Sequence, residues 1–289
     1  RHFGYDSVGI SPMAGLAEAM GGTLAYSPDT PPSVLKHPLS SWDDLDQLRP
    51  PDPLKDGRLP LYFEAMERIR DAVGHEVKVG SGMGGPMSVA SLVIGTENLL
   101  MAMIKRPDQV HQLLQFSTDI IISYMEICAQ RGFGCSMGDG LLSKSLISTR
   151  LFRQFVRPYL QQIADWYRDR YGRSPSMHIC GDTKNIWLDM AEIGFGRLSI
   201  DDMMSLAEAK KVVGHISSLK GNVSPTRVLL FGTPEEVREA SCRCLDEAAD
   251  NPKGFMLSTG CNLAWGTPPE NIQAMLDAAR IWYKENRGV

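Results

Sequence analysis

The chain has 289 residues, of which 43% are apolar and 22% charged, a composition typical of a folded globular protein with a large core. Thirty Lys and Arg residues against 34 Asp and Glu residues give a formal net charge of −4, without a basic block, which argues against a nucleic-acid or anionic-membrane surface as the main partner. The apolar runs are far shorter than the roughly 20 residues of a membrane span. Six cysteines are too few for a disulfide scaffold and suit a reducing, cytoplasmic compartment.

Strand-like and helical segments alternate along most of the chain. The first strand-like segment, 5–10, stands at the very start of the sequence, so we expect a further N-terminal segment before Arg1. Seven prolines lie in the loop-like stretch 27–58, which also contains a helical signal at 41–45. We interpret this stretch as a lid or as a segment that crosses the surface. Hydrophobic spacing then predicts helices at 61–73, 98–104, 107–131, 149–171, 186–193, 205–213, 233–250 and 268–285, and strands at 77–79, 134–137, 176–180, 197–201, 218–220 and 254–258.

This alternation predicts an α/β fold in which helices cover a parallel sheet. Thr233 and Thr267, each followed by Pro and by Glu three positions on, predict two of the helix N-caps. About seven strand–helix units favour a closed (β/α)8 TIM-type barrel, forming one domain over 1–289. A doubly wound open sheet is the alternative, but the glycine-rich loop predicted at Gly82–Pro86 lacks the Gly-x-Gly-x-x-Gly spacing of dinucleotide-binding folds.

In such a barrel the active site lies at the C-terminal ends of the strands, where this chain places one His and two Cys. His178 and Cys180 are two residues apart on a strand, so their side chains share a face, and Cys261 follows a later strand. Together they predict a zinc site with three protein ligands and an open fourth position, the pattern of catalytic zinc. The alternative is a buried Cys beside a hydrogen-bonded core His.

Other residues at the strand ends are candidates for weaker roles. Asp139, Asp201 and Asn222 are expected to orient His178 or to contact substrate, although each residue type also caps backbone turns. Gly84 and Gly85, in the glycine-rich loop, are expected to line the pocket by close backbone approach, and Met203 by its side chain. The alternatives are a tight turn for the glycines and gap-filling core for the Met.

Four segments of the sequence together resemble the uroporphyrinogen decarboxylase-like superfamily, and within it the cobalamin-dependent methyltransferases, typified by methylcobalamin:coenzyme M methyltransferases. They are His178-Ile179-Cys180-Gly181, Leu198-Ser199-Ile200-Asp201, Gly221-Asn222-Val223 and Gly254–Cys261, and the segments Phe3–Asp6, Gly85-Pro86 and Leu146–Ser148 fit the same pattern. The resemblance covers essentially the whole chain and implies a (β/α)8 barrel with Zn²⁺ on His178, Cys180 and Cys261. It also implies a corrinoid protein carrying methylcobalamin as the methyl donor, and a thiol such as coenzyme M, or a similar acceptor.

Two other functions remain open from the sequence. The first is uroporphyrinogen decarboxylase, a cofactor-free enzyme of porphyrin biosynthesis, in which Asp139 or Asp201 would contact pyrrole N–H groups. These decarboxylases usually carry His where this chain has Cys261, which argues against that activity. The second is a barrel that binds a corrinoid or its carrier protein without turnover. The identity of the acceptor, the identity of the corrinoid partner and the choice between monomer and homodimer are not decided by the sequence.

Overall fold

The computed structural model describes residues 3–28 and 30–287, with the backbone alone for residue 287. Contacts within the chain divide it into two compact units. The N-terminal unit comprises residues 5–142 and 146–175, and the C-terminal unit comprises residues 3–4, 143–145 and 176–287. The single domain expected over 1–289 stays a prediction.

The N-terminal unit combines five strands with seven α-helices in its described residues. The strands are β1 (Ser7–Ile10), β2 (Thr23–Ala25), β3 (Ser33–Lys36), β4 (Lys78–Gly84) and β5 (Gly134–Gly138). The helices are α1 (Met13–Ala19), α2 (Leu59–Val73), α3 (Pro86–Ile94), α4 (Thr96–Lys105), α5 (Pro107–Gln130), α6 (Thr149–Leu151) and α7 (Arg157–Tyr171). β4 pairs in parallel with both β1 and β5, whereas β2 and β3 form an antiparallel pair.

The long helix α5 shows why these segments fold as they do. Pro107 occupies its first turn, where a missing N–H costs nothing, and Asp108 complements the positive end of the helix dipole. Its buried residues recur every three or four positions and pack one face into the core, as at Val110, Leu113, Leu114, Ser117, Ile120, Ile121, Tyr124 and Cys128.

Three local expectations for this unit need correction. The stretch 27–58 is not all loop, because it contains β3 and a 3-10 helix at Trp42–Gln47, which includes most of the helical signal at 41–45. The loop expected at Gly82–Pro86 is wrong, because β4 continues through Gly84 and α3 begins at Pro86. The helix expected at 98–104 is one of a pair, α3 and α4, separated by Gly95 at a φ of +88°, which favours glycine.

The described residues contain no single helix with the length and apolar character that crossing a membrane requires. α3 and α4 meet those requirements only when taken together, and the two are bent by 104°.

The C-terminal unit carries four parallel strands and four α-helices in its described residues. The strands are β6 (Ser176–His178), β7 (Arg197–Ser199), β8 (Ser218–Val223) and β9 (Phe255–Thr259). The helices are α8 (Trp187–Ile193), α9 (Leu206–Val213), α10 (Pro234–Ala248) and α11 (Pro269–Arg287). The strands lie in the order β6–β7–β8–β9, each paired in parallel with the next.

The strand register of the C-terminal unit separates two faces of its sheet. Met177, Leu198 and Leu219 lie side by side and are buried, so they form the face covered by helices. His178, Ser199 and Lys220 lie side by side on the opposite face. This second face is polar, and the predicted ligands lie at its C-terminal edge.

Candidate metal centre

The structure brings the three predicted ligands together in the C-terminal unit. His178 is the last residue of β6, Cys180 lies two residues beyond it, and Cys261 lies two residues beyond the end of β9. Cys180 Sγ is 3.3 Å from His178 Nε2 and 3.7 Å from Cys261 Sγ. All three donor atoms lie within 4.8 Å of one another, and all three side chains are half-buried. They therefore form a compact donor cluster open on one side.

The donor distances fit a tetrahedral zinc ion. Two sulfur atoms bound to one tetrahedral Zn²⁺ at about 2.3 Å each stand about 3.8 Å apart, and a nitrogen at about 2.0 Å stands about 3.5 Å from each sulfur. The separations of 3.7 Å for the sulfur pair and 3.3 Å for the nitrogen–sulfur pair are close to these values. The sulfur pair is also far longer than a disulfide bond of about 2.05 Å. The residues present can hold zinc and leave a fourth position for a substrate.

Glycines beside the cysteines allow the backbone to reach this arrangement. A Cβ on Gly260 would overlap the backbone N of Asp202, so the chain passes between β9 and Cys261 only because position 260 has no side chain. The Gly260 N–H donates to Val223 O at 2.9 Å, which ties this turn to the end of β8. Gly181, directly after Cys180, has a φ of +78°. Gly181 and Gly260 are not ligands themselves, but they allow the backbone conformation that positions the sulfurs of Cys180 and Cys261.

Ser199 orients His178, a role that the sequence reasoning missed. The register pairs Ser199 with His178 across β6 and β7, and Ser199 Oγ lies 3.1 Å from His178 Nδ1. In the tautomer that donates from Nδ1 to Ser199, Nε2 keeps its lone pair on the side of Cys180. Only the strand register reveals the pairing of Ser199 with His178, because the two residues are 21 positions apart in the chain.

The cluster favours the ionised form of a cysteine. The neighbouring Cys180 thiol, and after it the neighbouring His178 imidazole, lower the pKa of Cys261, and their combined effect outweighs the opposing effect of burial. The surroundings of Cys261 therefore favour its thiolate, the form in which cysteine binds metal.

Asp201 and Asn222 hold the loops around the cluster. Asp201 accepts hydrogen bonds from the Gly181 N–H at 2.8 Å and from the Met203 N–H at 3.1 Å. Asn222 Nδ2 donates to the carbonyls of Asp201 at 2.9 Å and Met204 at 2.7 Å. Neither side chain bonds His178, so the orienting role considered for them falls to Ser199. A contact of either with substrate stays a prediction.

For the remaining candidates, Met203, Gly84 and Gly85, a role in a pocket stays a prediction. Met203 is 65% exposed, so the alternative of gap-filling core is wrong for it. Gly84 and Gly85, in the N-terminal unit, leave room for neighbours, since a Cβ on the first would overlap Met13 and a Cβ on the second would lie 2.5 Å from Asp139 Oδ2.

Asp139 is a buried carboxylate at the N-terminal end of α3. It accepts hydrogen bonds from the backbone N–H groups of Met87, Ser88 and Leu141 and, at 2.8 Å, from Ser88 Oγ. Burial raises the pKa of Asp139 to about 6, although each of these bonds lowers it. The bonds from Met87 and Ser88 satisfy unpaired backbone donors of the first turn of α3.

Comparison with known proteins assigns the family. The family described as Uroporphyrinogen decarboxylase (URO-D) matches residues 1–282. The chain belongs to the uroporphyrinogen decarboxylase family. Within this family the chain is 32% identical over 272 residues to the protein named Methylcobamide:CoM methyltransferase MtaA of Methanosarcina barkeri, covering 93% of this chain and 77% of that protein. It is 28% identical over 284 residues to the Uroporphyrinogen decarboxylase of Aromatoleum aromaticum, covering 94% of this chain and 76% of that one.

A solved structure of this family supports the fold. The chain superposes on a methyltransferase from Methanosarcina mazei with a TM-score of 0.86 at 31% sequence identity, covering 97% of this chain and 82% of that one. The likeness confirms the predicted fold class, an α/β fold of the (β/α)8 barrel type.

Proposed function

We propose that this protein is a zinc-dependent methyltransferase that moves a methyl group from a corrinoid protein to a thiol such as coenzyme M, or to a similar acceptor. The observation that carries the proposal is the convergence of Cys180 Sγ, Cys261 Sγ and His178 Nε2 within 4.8 Å at the end of one sheet. The Methanosarcina barkeri relative, which is named a Methylcobamide:CoM methyltransferase, supports a methylated corrinoid as donor and coenzyme M as acceptor.

The ligand set suits the activation of a thiol. Zn²⁺, when bound, lowers the pKa of a thiol that enters its open position and presents the sulfur as a thiolate. Cys180 and Cys261, as thiolates, cancel the double positive charge while His178 stays neutral. With zinc held by His178, Cys180 and Cys261, a thiolate acceptor would give the site a net charge of −1, and its sulfur would keep the electron density that nucleophilic attack requires. Three histidines would leave a net charge of +1 and a poorer nucleophile.

The chain then has only to position this sulfur against the methyl group of the donor. A sulfur–carbon bond forms as the carbon–cobalt bond of the donor breaks, its electron pair stays with the cobalt, and the proton of the thiol has already passed to solvent. Ser199 holds the imidazole, and Asp201 holds the loop of Cys180 through Gly181, so both ligand-bearing segments are positioned by the chain itself. Such positioning contributes much of the rate in a reaction between two bound partners. Asn222 and Met203, in the C-terminal unit, are proposed to line or support the acceptor pocket. The roles in a pocket that the sequence predicts for Asp139, Gly84 and Gly85 stay predictions.

Metal analysis tests the proposal. Protein purified under reducing conditions is expected to contain close to one zinc per chain, and Cys261→Ser is expected to lose most of it together with methyl transfer from methylcobalamin to a thiol. Cys242→Ser is the matched control, because Cys242 is a half-buried helix residue outside the cluster. Wild-type protein without zinc, or Cys261→Ser protein with undiminished zinc, would contradict the proposal.

Two other functions give different results in the same assays. Decarboxylation of uroporphyrinogen is supported by the relative from Aromatoleum aromaticum, and it predicts release of carbon dioxide that chelators do not inhibit. A binding protein without turnover predicts tight association with a corrinoid protein but no methylated product with any thiol.

A further inference from the structure

We infer that Lys220, assisted by Arg197, binds a negatively charged group on the acceptor and so selects anionic thiols over neutral ones. The inference rests on the proposed function, because it assigns the part of the acceptor that lies away from the sulfur.

Lys220 lies on the face of the sheet that carries the metal centre. The register aligns His178 with Ser199 and Ser199 with Lys220, so the three side chains project from the same face. Because neighbouring strands lie about 4.8 Å apart, the Cα atoms of His178 and Lys220 are separated by roughly 10 Å. The two ligand-bearing strands, β6 and β9, flank β7 and β8, so Lys220 on β8 lies between the strands that supply the donors.

The two cations on this face have no acidic partner. Arg197 lies two residues before Ser199 and therefore on the same face, where its Nε donates to Ser218 Oγ at 3.3 Å. Neither Arg197 nor Lys220 forms an ion pair in the described part of the chain. Burial, and then the positive charge of Arg197, lower the pKa of Lys220, which shows that its surroundings disfavour its charge. A bound anion would stabilise the charged form of Lys220 and so counteract both effects.

If the donor enters at the C-terminal edge of the sheet, the part of the acceptor that lies away from its sulfur extends towards Lys220. In folds of this type the partner enters at the C-terminal ends of the strands, so the acceptor sulfur must face that edge. The remainder of the acceptor then extends back along the strands, towards the row of His178, Ser199 and Lys220. Met256, which pairs with Lys220 across β8 and β9, is 42% exposed, so the surface beside Lys220 is open. A short thiol with a sulfonate or carboxylate fits this arrangement.

The test compares two thiols of equal length that differ in charge. Binding of 2-mercaptoethanesulfonate and of 2-mercaptoethanol to zinc-loaded protein is measured by calorimetry, followed by kcat/KM for methyl transfer from methylcobalamin. Lys220→Met is expected to weaken binding of the sulfonate and lower its kcat/KM by about tenfold or more, with less than a twofold change for the neutral thiol. Lys220→Arg, which keeps the charge, is expected to restore much of the sulfonate affinity. Lys253→Met is the matched control, because Lys253 is exposed before β9, at the other end of that strand from Cys261.

The outcomes separate this inference from the proposed function. If Lys220→Met binds both thiols as the wild type does, or loses both equally while keeping its zinc, the inference is overturned and the proposed function stands. If Lys220 selects the sulfonate in binding but no thiol is methylated, the anion subsite stands and the proposed function fails. Equal zinc content and equal thermal stability of the variants show that they are folded.

Discussion

Cys180 and Cys261 are 81 residues apart in the chain, yet their sulfur atoms lie 3.7 Å from each other. Each sulfur follows a parallel strand, and each is next to a glycine whose conformation or lack of a side chain brings the backbone into place. Two cysteine sulfurs at this distance, far beyond the length of a disulfide bond, are suited to share a metal ion. The consequences can be tested residue by residue.

Ser199→Ala is expected to weaken zinc binding without preventing it. Loss of the contact at 3.1 Å frees the imidazole of His178 to rotate and to adopt the other tautomer. Changes of this kind typically reduce metal affinity by about 10- to 100-fold. The measurement is a competition titration with a chromophoric chelator.

The control for this change is Ser217→Ala. It removes a buried hydroxyl that donates to Phe195 O at 2.7 Å, so it costs a comparable hydrogen bond away from the cluster. Equal zinc affinities for Ser199→Ala and wild type would show that Ser199 does not orient the ligand.

Gly260→Ala is expected to lower both stability and zinc content. The added Cβ overlaps the backbone of Asp202, so the turn must shift and carry Cys261 away from Cys180. Overpacking of this kind costs about 1–3 kcal/mol of unfolding free energy. Urea denaturation and zinc stoichiometry measure the two effects. Gly140→Ala is the control, because a Cβ there meets no atom within 4 Å, and a variant at Gly260 that matched it in both measurements would refute the prediction.

Asp139 is expected to make the stability depend on pH in the acid range. Because burial raises its pKa in the folded chain from 3.8 to about 6, the folded state binds more protons than the unfolded state between these values. The contribution of Asp139 to stability is therefore highest below pH 4 and falls as the pH rises to 6, by about 3 kcal/mol in total. Once the carboxyl is ionised in both states, the contribution is constant.

Asp139→Asn removes this titration while it keeps the shape of the side chain. The free energy of unfolding of wild type minus that of the variant is expected to fall between pH 4 and pH 6.5, measured by urea denaturation. A difference that stays constant over this range would show that Asp139 does not titrate there.

The sequence predicted those features whose signal lies within one segment. α5 is predicted to within one residue because Pro107 and a regular apolar spacing mark it. The cap at Thr233 is confirmed, with reciprocal bonds to Glu236, because all of its atoms lie within four residues. The second cap is displaced, since α11 begins at Pro269 and Thr267 Oγ1 donates to Ala264 O.

Features that depend on neighbours distant in the chain were missed or misplaced. The sequence predicts a loop at Gly82–Pro86, but Gly82 and Gly84 belong to β4. A glycine in this strand is explained by its neighbour β5, because a Cβ on Gly80 would lie 2.6 Å from Gly134 O. Ser199 was overlooked because its pairing with His178 depends on a register that local spacing does not encode. The convergence of His178, Cys180 and Cys261 was predictable because residue type and position at the strand ends both point to it.

X-ray absorption at the zinc K edge tests the central claim most directly. The account predicts two sulfur donors at about 2.3 Å and one imidazole nitrogen at about 2.0 Å in the purified protein. Addition of an excess of an acceptor thiol is expected to add a third sulfur at a similar distance. A zinc environment without sulfur, or a spectrum that the thiol leaves unchanged, would contradict the account.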